Sequence, residues 1–214
     1  MELMGFASGP YKTNCYILAN DGHCVVIDPG MHTLHPLLAM LEDKQLTLDK
    51  IVLTHGHIDH TRDAGDLAKR LGVEVYIHAA DEYMLATGEG VSEQTRVLFD
   101  ADAMTPIPSP QHLNHGDTIS LVGVDFEVRH APGHSPGSVL LVAESISLCI
   151  AGDVLFKGSI GRTDLADSSH ADMLVSLKEQ VLTLPDELAV LPGHGPDTTI
   201  RAERQQNPFL QALR

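Results

Sequence analysis

The stretch Thr54-His55-Gly56-His57-Ile58-Asp59-His60 puts four side chains able to bind a metal ion into residues 55–60, with only Gly56 and Ile58 between them. On a helix, His55 and Asp59 would share one face and His57 would swing away. The apolar run Ile51-Val52-Leu53 just before it reads as a buried strand, and Gly56 loosens the backbone after it. The stretch is therefore placed on a strand-to-helix loop, where irregular dihedrals can aim several side chains inward together. Imidazoles mixed with a carboxylate suit divalent transition metals, zinc and iron among them. A polar loop of solvated histidines is the bland alternative, and it leaves the crowding unexplained.

A catalytic metal site takes its ligands from separate rigid elements. Three later stretches offer them: Pro132-Gly133-His134-Ser135-Pro136-Gly137, Ala151-Gly152-Asp153 and Pro192-Gly193-His194-Gly195. Each candidate follows an apolar strand-like run, at the strand end where sheet-based sites gather. The set is then His55, His57, Asp59, His60, His134, Asp153 and His194. One ion cannot use so many donors, whereas two ions ~3.5–4 Å apart can, sharing a bridging carboxylate and a bridging water. A closed structural zinc would more often be rich in cysteine. Asp28 leaves a strand on the same rim, either to orient a ligand histidine or to start the Asp28-Pro29-Gly30 turn. Gly133-His134-Ser135-Pro136-Gly137 also fits the G-x-S-x-G of serine hydrolases. That motif must lead from strand to helix, and here it leads into the strand-like Val139-Leu140-Leu141-Val142.

The chain has 214 residues, of which 43% are hydrophobic, enough to bury a substantial core. Its net charge of -15 argues against a nucleic-acid partner and against an anionic membrane surface. No run approaches the ~18 apolar residues of a membrane span. The N-terminus lacks a basic, then apolar, secretory pattern. Cys15, Cys24 and Cys149 each lie in apolar runs with no C-x-x-C spacing, so they read as buried thiols. A reduced, cytoplasmic setting is expected.

Strands are expected over 2–7, 13–19, 23–28, 50–54 and 73–77, with Asn20-Asp21-Gly22 as a hairpin turn. More follow over 118–122, 126–130, 139–142, 147–151 and 188–191. Helical spacing covers 33–44, 60–71 up to Gly72, 79–101 with a break at Gly88-Glu89-Gly90, 170–183 and 198–206. Residues 102–117 read as loop. Strands and helices, then strands and helices again, predict a single α/β domain over 1–214: an αββα sandwich of two mixed sheets face to face with helices outside.

With these residues in place, the chain resembles the metallo-β-lactamase superfamily, whose signature is Thr-His-x-His-x-Asp-His. Asp28-Pro29-Gly30, Pro132-Gly133-His134, Gly152-Asp153 and Pro192-Gly193-His194 follow in that family's order. The resemblance implies a first ion on His55, His57 and His134, a second on Asp59, His60 and His194, and Asp153 between them. Two divalent ions per chain are implied, zinc first, with iron or manganese as alternatives. Gly152 to Phe156, Gly158 to Asp164 and Gly193 to Thr199 are similar to the glyoxalase II group, and in particular to its short YcbL-type hydroxyacylglutathione hydrolases. These hydrolyse S-D-lactoylglutathione to D-lactate and glutathione, with Asp59 in the position of a proton acceptor. Longer members carry a C-terminal helical domain with basic contacts to glutathione, and this sequence ends at Arg214 without one. Where they carry Lys and Tyr, it offers Arg162 and Asp164, and Pro196 stands in place of a further Tyr. Arg162 is then either a partner for a substrate carboxylate or a structural partner of Asp164. The resemblance leaves three rivals: a mononuclear-iron persulfide dioxygenase, a hydrolase of another thioester or lactone, and a non-enzymatic metal-binding module. It says nothing of oligomeric state.

Overall fold

The computed structural model describes residues 1–86 and 91–213. The first sheet runs in the order β1 (Glu2–Ser8), β2 (Thr13–Asn20), β3 (His23–Ile27), β4 (Thr47–Val52), β5 (Glu74–Ile77) and β6 (Gln111–His112). Antiparallel pairing joins β1 to β2 and β2 to β3, and the rest of the sheet is parallel. Asp21 and Gly22 both take positive φ, of 50° and 80°, as a tight two-residue hairpin turn between β2 and β3 requires.

The second sheet is built from β7 (Thr118–Leu121), β8 (Val124–His130), β9 (Val139–Ala143) and β10 (Leu148–Gly152). A separate small hairpin follows, β11 (Leu155–Phe156) with β12 (Ser159–Ile160). The chain then returns as β13 (Ala189–Pro192), parallel to β10, and closes the sheet with β14 (Thr198–Thr199).

Three apolar cores separate four layers. Leu18, Val25, Ile27, Phe126, Leu141 and Ile150 interdigitate between the sheets. Ile17, Val26 and Ile51, on the opposite face of the first sheet, pack with Leu37 of α1 (Leu34–Asp43) and Leu67 on the helix after the signature loop. Leu140, Cys149 and Val190 pack with Met173 and Leu177 on the other side. The fold is the αββα sandwich that the strand and helix pattern predicts.

Several boundaries differ from expectation. The helix expected over 60–71 is two, α2 (Ile58–Thr61) and α3 (Ala64–Leu71), the second closed by left-handed Gly72. Between them, the Asp63 carboxylate accepts the N–H groups of Thr33 and Leu34 at 2.9 and 3.0 Å and so caps α1 from a distance. Strand β4 stops at Val52, because the Thr54 N–H turns to the Asp28 carboxylate at 2.8 Å. Residues Thr198–Thr199 are sheet edge, and Thr199 caps the helix Ile200–Gln206. The helix expected over 79–101 is a 3-10 segment, Ala79–Leu85, and a short helix, Glu93–Leu98; the break at Gly88-Glu89-Gly90 lies outside the described residues. A turn of π-helix, Leu177–Val181, ends the segment that starts at His170. The β11–β12 hairpin and the helix Pro208–Gln211 have no counterpart in the strands and helices expected from the sequence. Among the described residues, no helix is long and apolar enough to cross a membrane. Cys15, Cys24 and Cys149 are buried free thiols, as expected.

Candidate metal centre

The strand ends β3, β4, β8, β10 and β13 carry the candidates: His55, His57, His134, Asp153 and His194 follow strands on loops, and Asp59 and His60 stand on the short helix α2. Strands β3 and β4 are parallel, as are β10 and β13, so the residues after them project the same way from each sheet. The two sheets are also tied together at this edge. Asn14 of β2 donates to the carbonyls of Pro192 and Gly195 at 3.0 and 2.9 Å, and the Tyr16 hydroxyl donates to Pro192 O at 2.8 Å. The loop carrying His194 is thereby fixed against the sheet that carries His55.

All seven expected ligands come together. His55, His57 and His134 form one group whose donor atoms lie within 4.8 Å of one another, and Asp59, His60 and His194 form a second. Asp153 sits between them: Oδ2 is 3.3 Å from His134 Nε2 and 3.4 Å from His194 Nε2, and Oδ1 is 3.3 Å from His60 Nε2. Gly193 has no room for a side chain, because a Cβ there would strike the Asp153 carboxylate. None of the other eight histidines joins a ligand group among the described residues. His23 pairs with Asp49 and His112 with Glu82, each at 2.7 Å, while His78 stacks on His130.

Four of the five rings are oriented by what their other nitrogen meets. His134 Nδ1 lies 2.9 Å from Arg162 O and His194 Nδ1 3.1 Å from Tyr11 O, so each donates an N–H and turns Nε2 inward. His60 Nδ1 donates to Asp28 Oδ2 at 2.9 Å. His55 Nδ1 meets Thr54 Oγ at 3.1 Å, and that hydroxyl donates to the same Asp28 oxygen at 2.6 Å. His57 instead turns Nδ1 inward, 2.9 Å from His134 Nε2.

Burial makes this arrangement costly without ions. His55 Nε2 and Asp153 Oδ1 are buried with no hydrogen bond of acceptable geometry, and each such orphan costs about 1–3 kcal/mol. Both atoms face the centre, where cations would satisfy them, so the residues present fit two ions. In the imidazole group, His55 and His57 stay neutral. Burial, reinforced by the neighbouring rings, holds His55 well below the ordinary range, and burial with His134 beside it brings His57 to about 4. The other group behaves in the opposite way. Burial alone would lower His60, but Asp59, Asp153 and Asp28 outweigh it and hold the ring well above its usual value. Burial also opposes His194, yet its hydrogen bonds to Asp153 and Asp59 raise it to about 9.

A cavity of about 890 Å³ opens over the centre. Tyr11, Ile58, Val91, Phe156, Ile160 and Leu165 give it apolar walls. Arg162 also lines it, with its guanidinium held by Asp164 through contacts of 2.7 and 2.9 Å. Ser135 is fully buried and held by Asp81 and Ser138, while His194 is engaged by Asp59 and Asp153, so no serine triad forms. Three contributors leave no mark in the sequence. Thr13 donates to Asp59 Oδ2 at 2.9 Å, the Tyr11 carbonyl orients His194, and Asp81 touches two ligand loops. Their partners are far away along the chain, so no local spacing points to them.

Comparison with known proteins agrees with this geometry. The chain is 38% identical to the probable metallo-hydrolase YqgX of Bacillus subtilis (strain 168), covering 96% of this chain and 95% of that protein. It is 32% identical to the hydroxyacylglutathione hydrolase GloC of Haemophilus influenzae, covering 94% of each. Among solved structures it is similar to the BLEG-1 B3 metallo-beta-lactamase, with TM-score 0.88, 35% identity and coverage of 98% and 99%. It is similar also to TTHA1623 in a di-iron-bound form, with TM-score 0.84, 36% identity and coverage of 97% and 100%. ETHE1 from Myxococcus xanthus follows at TM-score 0.77 and 26% identity, covering 97% of this chain and 84% of that one. The names of these relatives span a probable metallo-hydrolase, a hydroxyacylglutathione hydrolase and a metallo-beta-lactamase, and the solved ones share this chain's fold. With the family profile of the Metallo-beta-lactamase superfamily matching residues 8–194, the chain belongs to that superfamily, as a metal-dependent hydrolase or oxidase.

Proposed function

We propose that residues 1–214 act as one domain, a thioester hydrolase of the glyoxalase II type that converts S-D-lactoylglutathione to D-lactate and glutathione. The observation that carries the reading is Asp153, placed between two complete ligand groups and within 3.4 Å of three inward-facing imidazole nitrogens. His55, His57 and His134 would hold one divalent ion and Asp59, His60 and His194 the other. Zinc is the first expectation; the di-iron-bound form of TTHA1623 makes iron a strong second. When bound, the two cations supply Lewis acidity, lowering the pKa of water and stabilising negative charge that develops on a carbonyl oxygen.

The chain's own residues do the rest. Asp28 orients His60 directly and His55 through Thr54. Asp59 is held by Thr13, and burial, which would raise its pKa, is outweighed by His60 and His194, so it remains an anion. A carboxylate fixed there can take the proton of the attacking water. A thioester carbonyl bound in the cavity would meet the ligand groups at its floor, and the thiolate would leave without needing a general acid. The apolar walls offer contact surface to the acyl and thiol parts of a substrate. Arg162, already forked onto Asp164, sits at the wall as the group that a substrate carboxylate would meet.

GloC carries the name of this activity, which supports the choice of substrate. A second reading is a mononuclear-iron persulfide dioxygenase, its one iron held by two histidines and an aspartate, and the fold likeness to ETHE1 keeps it beside the first. Metal analysis paired with a thioester panel, with and without chelator, separates them. Chelator-sensitive thiol release from lactoylglutathione without oxygen uptake is expected. Oxygen consumption with glutathione persulfide and no thioester cleavage would replace the hydrolase reading with the second one.

A further inference from the structure

We infer that Asp81 is a positioning residue that sets the mutual geometry of His55, His57 and His134, and so tunes one half of the metal centre and not the other. The inference rests on the ligand assignment proposed above and extends it to a residue beyond the ligand set.

Asp81 is fully buried near the start of the 3-10 segment Ala79–Leu85. Its backbone is fixed, since its N–H donates to His78 O at 3.0 Å, and His78 Nδ1 caps the same segment by accepting the Ala80 N–H. The carboxylate then joins two separate loops. Oδ2 accepts the Gly56 N–H at 2.8 Å and the Ser135 hydroxyl at 2.6 Å, and Oδ1 accepts the Gly137 N–H at 2.6 Å. Gly56 stands between His55 and His57; Ser135 follows His134. One rigid anion therefore clamps the backbone on both sides of the first ligand group.

The packing shows how close the clamp is. A Cβ on Gly56 would come within 2.8 Å of Met84 Sδ and 2.9 Å of Asp81 Cβ, and one on Gly137 within 2.6 Å of Asp81 Cγ. Both motif glycines are small so that the carboxylate can approach. The same contacts explain Ser135, which lies in the segment that imitates a serine-hydrolase motif and serves there as a hydrogen-bond donor to Asp81. The second group is held by other residues entirely. Asp59 rests on Thr13, His60 on Asp28 and His194 on the Tyr11 carbonyl.

A carboxylate with three donors cannot be replaced by an amide without turning an NH₂ toward one of them. Residues that orient metal ligands typically change affinity 10–100-fold when lost. The test is Zn²⁺ competition against a chromophoric chelator on the full-length chain, with H57A and H194A marking which binding step belongs to which group. D81N is expected to weaken the step that H57A abolishes by about 10–100-fold and to leave the H194A-sensitive step as in wild type. Unchanged affinity at both steps, or equal weakening of both, overturns the inference. Should D81N fail to fold, S135A decides alone: selective weakening of the same step supports the clamp, and wild-type affinity overturns it. Wild-type protein that takes up no Zn²⁺ would overturn the ligand assignment itself, a result distinguishable from failure of the Asp81 inference.

Discussion

The two halves of the centre bury similar side chains and manage them in opposite ways. The His55–His57–His134 half is built of imidazoles alone; burial keeps His55 and His57 neutral, and His55 Nε2 is left without a partner. In the Asp59–His60–His194 half, carboxylates hold the rings toward their protonated form and thus satisfy one another. The first half therefore depends on an incoming cation for its compensation. The second already has compensation that a cation must displace. Asp153 belongs to both, which is why its removal should have the largest effect.

Asp153→Ala is expected to lower kcat/KM at least ~100-fold and to cost at least one equivalent of metal, read by turnover and metal analysis together. Full activity with both ions retained would end the shared-carboxylate view. Asp28→Asn reaches His60 directly and His55 through Thr54, so it should weaken metal binding in both halves, by roughly 10–100-fold. Selective loss in one half would show that Thr54 does not transmit the contact. Thr13→Val removes a single donor to Asp59, and about tenfold weaker binding confined to the second half is expected from the ~1.5 kcal/mol or more of a charge-assisted hydrogen bond. An effect on the first half would erase the distinction.

The mildest change lies outside both halves. His78 is half-buried, and burial, with His130 and His112 nearby, lowers it from 6.5 to about 4. In that window the unfolded chain binds the proton more readily, so the contribution of His78 to stability is fully present above pH 6.5 and is lost as pH drops toward about 4. His78→Gln should narrow the gap between melting temperatures measured at the two ends of that window. An unchanged gap would place the acid sensitivity elsewhere, in the ligand halves themselves.

How much of this was legible in the sequence follows from how local each determinant is. Alternating and continuous apolar runs revealed most strands, because each strand's burial is written in its own residues. The signature loop and the later strand ends stood out because several metal-binding types crowd together or follow apolar runs at Gly turns. The break between α2 and α3 was hidden, since Asp63 is diverted to cap α1, whose start lies far away in the chain. Strands as short as β11, β12 and β14 carry too few residues for a period to show. Asp81 was one carboxylate among 29 acidic residues, and its meaning appears only when Gly56, Ser135 and Gly137 close around it.

The bonding of Asn14 and Tyr16 to the His194 loop has a consequence for the order of events during synthesis. The first sheet can form early and present His55, His57, Asp59 and His60, but Asp153 and His194 emerge only with β10 and β13. A nascent chain thus has an incomplete and weak metal trap until its last long strand docks. Once β13 is in place, a captured ion links an early segment of the polypeptide to a late one and favours the assembled state by mass action. Metal content would then serve as a readout of completed assembly: chains stalled before β13 stay empty, and finished ones are clasped shut.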